Sequence, residues 1–455
     1  MFAYEGRLND RVVSSDAMLS VFAPRSTVQR MLDVEAALAR ALASAGVIPA
    51  DALAPIETAC DADLIDADAM TLAAASAGNL AIPLVKQLTA CVAQGAPDAA
   101  KYVHWGATSQ DIIDSGMVLQ LRDALDLIEA GVDTLCDVLA RQAAAYRDTP
   151  MIGRTWLQQA LPITLGLKFA QWLDALERHR VRLEQLRERA VALQFGGAAG
   201  TLASLGDAAQ TVAQALAREL ALPLPSVPWH TQRDRIAEAA TVLGLLTATL
   251  GKIARDVSLQ MQTEVGEMAE PSSSGKGGSS TMPHKRNPST CEAVMGVSRA
   301  IKYNVALMLE SMVIDHERDG AAWRSEWRAL PEACLMAGGM LATMKYVISG
   351  LVVNVDKMRS NLDLLGGFLL SERVMFALAD KVGKQSAHEL VYEISMHGIE
   401  HGISFEQALM ADKRVRDAMS ETELRATLDP TTYVGLAPEI VDEVLAQTQK
   451  NGWLN

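Results

Sequence analysis

The sequence predicts an all-α fold built on long, bundled helices. Three observations predict it. The 455 residues are 49% apolar but only 5% aromatic, and alanine, leucine and methionine are abundant, a bias toward helix over sheet. Proline is absent from 98–149, 163–222, 229–270 and 289–330, stretches longer than ordinary helices need. Within them apolar residues recur at helical spacing in stripes that persist for several turns.

The stripes place the elements in order. Residues 27–46 carry Met31, Val34, Leu38 and Leu42 and stop at Gly46 and Pro49. A helix is expected from Ile112 onward, after the run Tyr102-Val103-His104-Trp105-Gly106-Ala107-Thr108-Ser109-Gln110-Asp111. Thr108, Ser109 and Gln110 cluster hydrogen-bonding groups there, and two readings stand side by side: an ordinary N-cap, or an anion site at a helix N-terminus. In 166–195, Phe169, Leu176, Leu183 and Ala190 fall every seven residues. About 30 helical residues span roughly 45 Å. Gln194 to Thr201 holds three glycines and reads as a sharp reversal. Trp229-His230-Thr231-Gln232 follows Pro223, Pro225 and Pro228, with Thr231 a candidate helix cap.

Second and third stripes follow. Ile236, Ala240, Leu243, Leu250, Ala254, Val257 and Met261 make one; Val294, Val297, Ile301, Val305, Met308 and Met312 make the other. Stripes of this kind are bundle seams, and their length suggests packing against further copies of the chain. Between them lies Gly275-Lys276-Gly277-Gly278-Ser279-Ser280-Thr281-Met282-Pro283-His284-Lys285-Arg286-Asn287-Pro288. Its glycines are expected to loosen the backbone and its prolines to stiffen the exit. Past the third stripe, Arg318, Arg324 and Arg328 stand among Trp323 and Trp327, either as solvated charges or as bidentate carboxylate ligands. From Leu365 the pattern resumes as amphipathic helices without evident chemistry.

Formal net charge is −14, which argues against nucleic acid or an anionic membrane as partner. Cys60, Cys91, Cys136, Cys291 and Cys334 are far apart and form no CxxC pair, so they fit a reducing compartment rather than disulfides or zinc. No signal pattern opens the chain and no uninterrupted apolar run reaches the ~18 residues of a membrane span. The expected location is cytoplasmic. No metal or organic cofactor is indicated by the His and Cys spacing.

Gly278 to Asn287 resembles the signature loop of the fumarase/aspartase superfamily. That resemblance implies a three-domain, all-α subunit (1–110, 111–360 and 361–455) in a homotetramer whose active sites are shared between subunits. It implies Ser279 as the catalytic base, with Lys285 and Asn287 on a substrate carboxylate. The Thr108-Ser109 pair resembles the superfamily's first carboxylate-binding block, and Gln232 a substrate-contacting glutamine of adenylosuccinate lyases. Two nucleotide-phosphate features of those lyases are absent: Arg11 is followed by Val12 rather than tyrosine, and Trp327 stands near their phosphate arginine.

Met151-Ile152-Gly153-Arg154-Thr155-Trp156 resembles the second superfamily block, which reads Gly-Arg-Thr-His in the lyases; Trp156 replaces the histidine that supplies acid, while the acidic partner stays as Glu292. A leaving amine has a conjugate-acid pKa near ~10, whereas a carboxylate leaves at a pKa near ~4. Loss of the acid is therefore tolerable where the leaving group is the substrate's own carboxylate. The resemblance then points to the superfamily branch that closes 3-carboxy-cis,cis-muconate, a small tricarboxylate, to 4-carboxymuconolactone. Ser279, Lys285 and His104 are the expected catalytic set. Thr108, Ser109, Thr155, Trp156, Gln232, Asn287, Arg318, Arg324 and Arg328 are the expected substrate contacts. An adenylosuccinate lyase-like or other fumarate-releasing lyase is the alternative.

Overall fold

The computed structural model describes residues 10–272, 282 and 284–452, and helices dominate them. The long ones are α1 (Pro24–Ser44), α2 (Ser109–Ala145), α3 (Leu165–Ala190), α4 (Asp234–Gln260), α5 (Ser289–Glu310) and α6 (Gly320–Ser349). Pro24 opens α1, where its missing N–H costs nothing, and Gly46 at φ 70° follows its end. Each proline-free stretch holds one or more of these helices. α6 alone runs through a proline, Pro331, which cannot donate to the Trp327 carbonyl one turn back.

The seams are where the periodicity put them. Phe169, Leu176, Leu183 and Ala190 are fully buried on α3. So are Ile236, Ala240, Leu243, Leu250, Ala254 and Val257 on α4. On α5, Val294, Val297, Ile301 and Met308 are buried, but Val305 is half-buried and Met312 is exposed, because the helix has already ended at Glu310. A fully buried leucine or phenylalanine contributes about 1.5–3 kcal/mol, so these seams hold the helices together. α4 is long and apolar enough to cross a bilayer by length and composition, a match that the run-length reading of the sequence does not give. Its burial in the protein accounts for the apolar character.

The chain divides into two compact units, each assembled from three segments. The first comprises Met1–Val132, Arg178–Lys252 and Ala293–Met344. Within it α1 and α2 approach closely: a Cβ on Gly116 would lie 3.3 Å from the Met31 backbone nitrogen. The second comprises Asp133–Glu177, Ile253–Glu292 and Lys345–Asn455. It holds the antiparallel hairpin β1 (Pro150–Thr155) and β2 (Gln158–Thr164), and the short pair β3 (Met268–Ala269) and β4 (Val352–Val353). Its C-terminal helices close over an apolar cluster that includes Val374, Leu378, Leu390, Phe405 and Leu409.

Candidate active site

The first unit builds a site on the opening turns of α2. Residues 110–121 are all buried. A helix buried on every side must find partners for any polar side chain it carries. Gln110, Asp111, Asp114 and Ser115 recur at i, i+4 spacing there, and each is paired. Asp111 collects five donors. Its Oδ1 accepts from Gln194 Nε2 (3.2 Å), the Gly196 N–H (2.9 Å) and His230 Nε2 (2.9 Å); its Oδ2 accepts from the Gly197 N–H (3.0 Å) and the Thr108 N–H (3.0 Å). The glycine turn therefore reverses the chain against a carboxylate. Gly196 has no room for a side chain, since a Cβ would lie 2.9 Å from the His230 ring.

Asp114 anchors a second layer. Its Oδ2 accepts from Arg233 Nη1 (2.7 Å) and its Oδ1 from the Trp323 indole (2.8 Å), while Arg233 also pairs with Glu326. All three charged side chains are fully buried. Burial works against the Arg233 charge, but Asp114 and Glu326 outweigh it and hold the guanidinium protonated. Burial also pushes the Glu326 carboxyl up, opposed by Arg233.

Above these layers the structure joins Thr108 to Arg318. Arg318 Nη1 donates to the Thr108 hydroxyl (3.2 Å), Nε to Gln110 Oε1 (3.1 Å) and Nη2 to the Ala198 carbonyl (2.9 Å). Of the two readings of Thr108, its hydroxyl serves Arg318 and not the first N–H groups of α2. Ser109 is half-buried beside it and Gln232 is exposed just before α4. Arg324 and Arg328 do not join this cluster. Arg324 Nε donates to the Gly78 carbonyl (3.1 Å), and Arg328 pairs with Glu332 (2.9 Å) on an exposed helix face.

His104 stands on left-handed backbone, φ 61°, with Nδ1 2.6 Å from Oε1 of the buried Glu35. Burial lowers the imidazole pKa; the Glu35 carboxylate, by charge and by hydrogen bond, overrides that and raises it, with Asp111 adding to the effect.

The second unit holds the other expected residues. Thr155 ends β1 and pairs with Gln158, so Trp156 and Leu157 form a two-residue turn. Their φ angles are 53° and 65°, and they are 97% and 80% exposed. Both central residues at positive φ is the hairpin geometry that Asn-Gly favours. The strand behind is fixed by Arg154, whose Nη1 and Nη2 donate to the two oxygens of buried Glu267 (2.8 and 2.7 Å); Asn361 donates to the same carboxylate (2.8 Å).

Ser279 lies outside the described residues. Of the loop, His284 and Lys285 are exposed and Asn287 is half-buried. α5 starts at Ser289, and its first amides are already engaged: Glu270 accepts from the Thr290 N–H (3.2 Å) and the Cys291 N–H (2.6 Å). Arg286 Nη2 donates to the Glu270 carbonyl (2.9 Å). The positive end of α5 is thus matched by Glu270. Glu292 is exposed on the same first turn. Among the described residues no group of three or more His, Cys, Asp or Glu is arranged to hold a metal.

A family model described as lyase matches residues 9–302, and one described as adenylosuccinate lyase C-terminus matches 367–444. The chain belongs to this lyase family, the fumarase/aspartase superfamily. It is 49% identical to the 3-carboxy-cis,cis-muconate cycloisomerase of Pseudomonas aeruginosa, over 98% of this chain and 97% of that one. It is 40% identical to the N-acetyl-S-(2-succino)cysteine lyase of Enterococcus italicus, over 97% of this chain and 96% of that one. The crystal structure of the 3-carboxy-cis,cis-muconate lactonizing enzyme from Pseudomonas putida superposes with a TM-score of 0.94 at 46% identity, covering 98% of this chain and 99% of that one.

Within this lyase fold, the sequence reading missed Asp111, Gln194 and His230. The signal was present: polar residues at i, i+4 in an otherwise apolar helix, and a histidine directly before Thr231-Gln232. What was missing was the pairing of segments about 85 and 120 residues apart.

Proposed function

We infer that this chain closes 3-carboxy-cis,cis-muconate to 4-carboxymuconolactone. One carboxylate of the tricarboxylate adds across a conjugated double bond, and a proton is delivered to the carbon α to another carboxylate. The observation that carries the reading is Trp156, an exposed indole where the lyases of this superfamily place an acid, in a chain 49% identical throughout to a cycloisomerase. In reverse the departing oxygen belongs to a carboxylate, whose pKa near ~4 lies about 6 units below that of an amine, or about 8 kcal/mol. Such a group leaves without protonation.

Ser279 moves the α proton, as acid in lactonisation and base in reverse, with Lys285 lowering the cost of its alkoxide. Thr108, Ser109 and Arg318 bind one carboxylate; Thr155, Lys285 and Asn287 bind others. Trp156 and Gln232 flank the substrate, and the His104 imidazolium adds positive potential or donates a proton. The bond between Arg318 and Thr108 favours Arg318 over Arg324 and Arg328 in this role. The working form is a homotetramer with shared active sites, in the cytoplasm, in the protocatechuate branch of aromatic catabolism; no cofactor enters the scheme.

Purified protein mixed with 3-carboxy-cis,cis-muconate should bleach the diene ultraviolet absorbance. In heavy water the lactone should carry deuterium at the newly saturated carbon. Undiminished diene absorbance, or a lactone without deuterium there, would refute the reading. Fumarate released from a succinyl adduct, with the muconate untouched, would favour the alternative lyase. Ser279→Ala should lower kcat by about 3 orders of magnitude or more, equivalent to about 4 kcal/mol.

A further inference from the structure

His230 has no part in the scheme above, yet its ring is buried and bonded to the carboxylate at the centre of the site. It is 5% exposed, and its Nε2 lies 2.9 Å from Asp111 Oδ1. That oxygen can only accept, so Nε2 carries the proton. The opposite nitrogen, Nδ1, is buried with no hydrogen-bond partner. Leaving such an atom unpaired costs about 1–3 kcal/mol, and a purely structural position would shed that cost by carrying a different side chain. The ring reaches the face formed by Thr108 and Arg318 indirectly, through Asp111. Through Asp111 it shares a carboxylate with the Thr108 and Gly197 N–H groups. Separately, the backbone carbonyl of residue 230, which is independent of the side chain, accepts from Gln110 Nε2 (3.1 Å), and Gln110 Oε1 in turn accepts from Arg318.

We propose that His230 is a positioning residue for the cycloisomerase reaction: through Asp111 it holds Thr108 and the Gly196-Gly197 turn, and with them Arg318, in the geometry that receives a substrate carboxylate. The inference rests on the function proposed above. Asp111 is the charged group bonded to this ring; Asp114 and Arg318 reach residue 230 only through Gln110 at its backbone carbonyl, and Arg233 lies beyond Asp114. The part of His230 that matters is then the Nε2–H donor alone. Glutamine reproduces that donor at the same reach and carries no second ring nitrogen; alanine reproduces neither.

The test compares His230→Ala and His230→Gln in the full-length protein, with folding checked by circular dichroism and urea midpoint. His230→Ala should raise KM for 3-carboxy-cis,cis-muconate about tenfold or more with kcat within about threefold of wild type, as expected when an interaction common to ground and transition states is lost. His230→Gln should return KM to within about threefold. Binding of tricarballylate, an unreactive tricarboxylate, should weaken and recover in parallel when read by calorimetry. A folded His230→Ala with normal KM would overturn the proposal. So would a folded His230→Gln as impaired as alanine, or one that restores KM while kcat collapses, which would make Nδ1 a proton carrier. Should the wild type leave carboxymuconate unchanged, the function fails on its own, and the tricarballylate series still decides the positioning role.

Discussion

In the Asp111 cluster a buried carboxylate collects five N–H donors from three separate stretches of chain; at the Trp156 turn two large apolar side chains stand in solvent on left-handed backbone. Both segments lie in blocks that the superfamily resemblance marks as functional. The first is satisfied within its own unit, so its geometry is set before any ligand arrives. The second gains nothing from the described residues of its own unit by being tryptophan and leucine: no packing among them uses these side chains, and the turn disfavours them. Residues chosen against local preference point to selection for something other than folding. The difference separates a preformed polar face from an apolar tip whose side chains stand in solvent.

The largest effect should follow from cutting the centre out of the preformed face. Asp111→Ala leaves the His230, Gln194, Gly196, Gly197 and Thr108 donors without their acceptor. At about 1–3 kcal/mol for each donor that stays buried and unpaired, the loss should reach about 4 kcal/mol or more. Urea denaturation measures it. A loss below about 1 kcal/mol would mean that the cluster relaxes freely and is not preformed. Arg318→Lys should come next. Lysine cannot serve Thr108, Gln110 and the Ala198 carbonyl at once, so KM should rise about tenfold or more. Arg324→Lys and Arg328→Lys should leave it within about twofold. Equal effects from all three would dissolve the distinction that the geometry draws among the arginines.

His104 sharpens the comparison through pH. Its folded-state pKa is raised above the ordinary 6.5 by Glu35. A raised pKa means that the pair's contribution to stability is complete below about pH 6.5 and is lost as pH rises through the folded value. If His104 meets the anionic substrate as proposed, its imidazolium is lost over the same alkaline window. Glu35→Gln removes the charge while burial remains, so the alkaline limb of kcat/KM should move to lower pH. Superimposable profiles for wild type and variant would remove His104 from substrate binding.

Much of this was legible in the residues. Periodicity located α3, α4 and most of α5, because a seam buried along one face leaves a pattern that needs no partner to read. The signature loop and the Thr108-Ser109 block were legible as resemblances. The Asp111 cluster was not, because its meaning lies in contacts between α2, the glycine turn and the segment before α4, and no local pattern fixes which segments meet. The pairing at the N-terminus of α5 was hidden for the same reason: Glu270, about 20 residues upstream of Thr290 and Cys291, occupies that end. The hairpin at Thr155-Trp156 was equally hidden, since Trp-Leu carries none of the turn signals that mark a two-residue loop.

That hairpin offers the smallest expected effect and the clearest separation of folding from function. Leu157 sits at φ 65°, where a side chain costs about 1 kcal/mol and glycine costs little. Leu157→Gly should therefore stabilise the protein by up to about 1 kcal/mol, read as a rise in the urea midpoint. With the leucine absent, the apolar tip is reduced to the Trp156 indole, and kcat/KM should fall about tenfold although the fold is firmer. Gain in stability with loss of activity is the signature of a residue kept for function at the expense of its own turn. A variant that is both firmer and fully active would show the tip to be only a turn, and the contrast with the Asp111 cluster would then be one of packing alone.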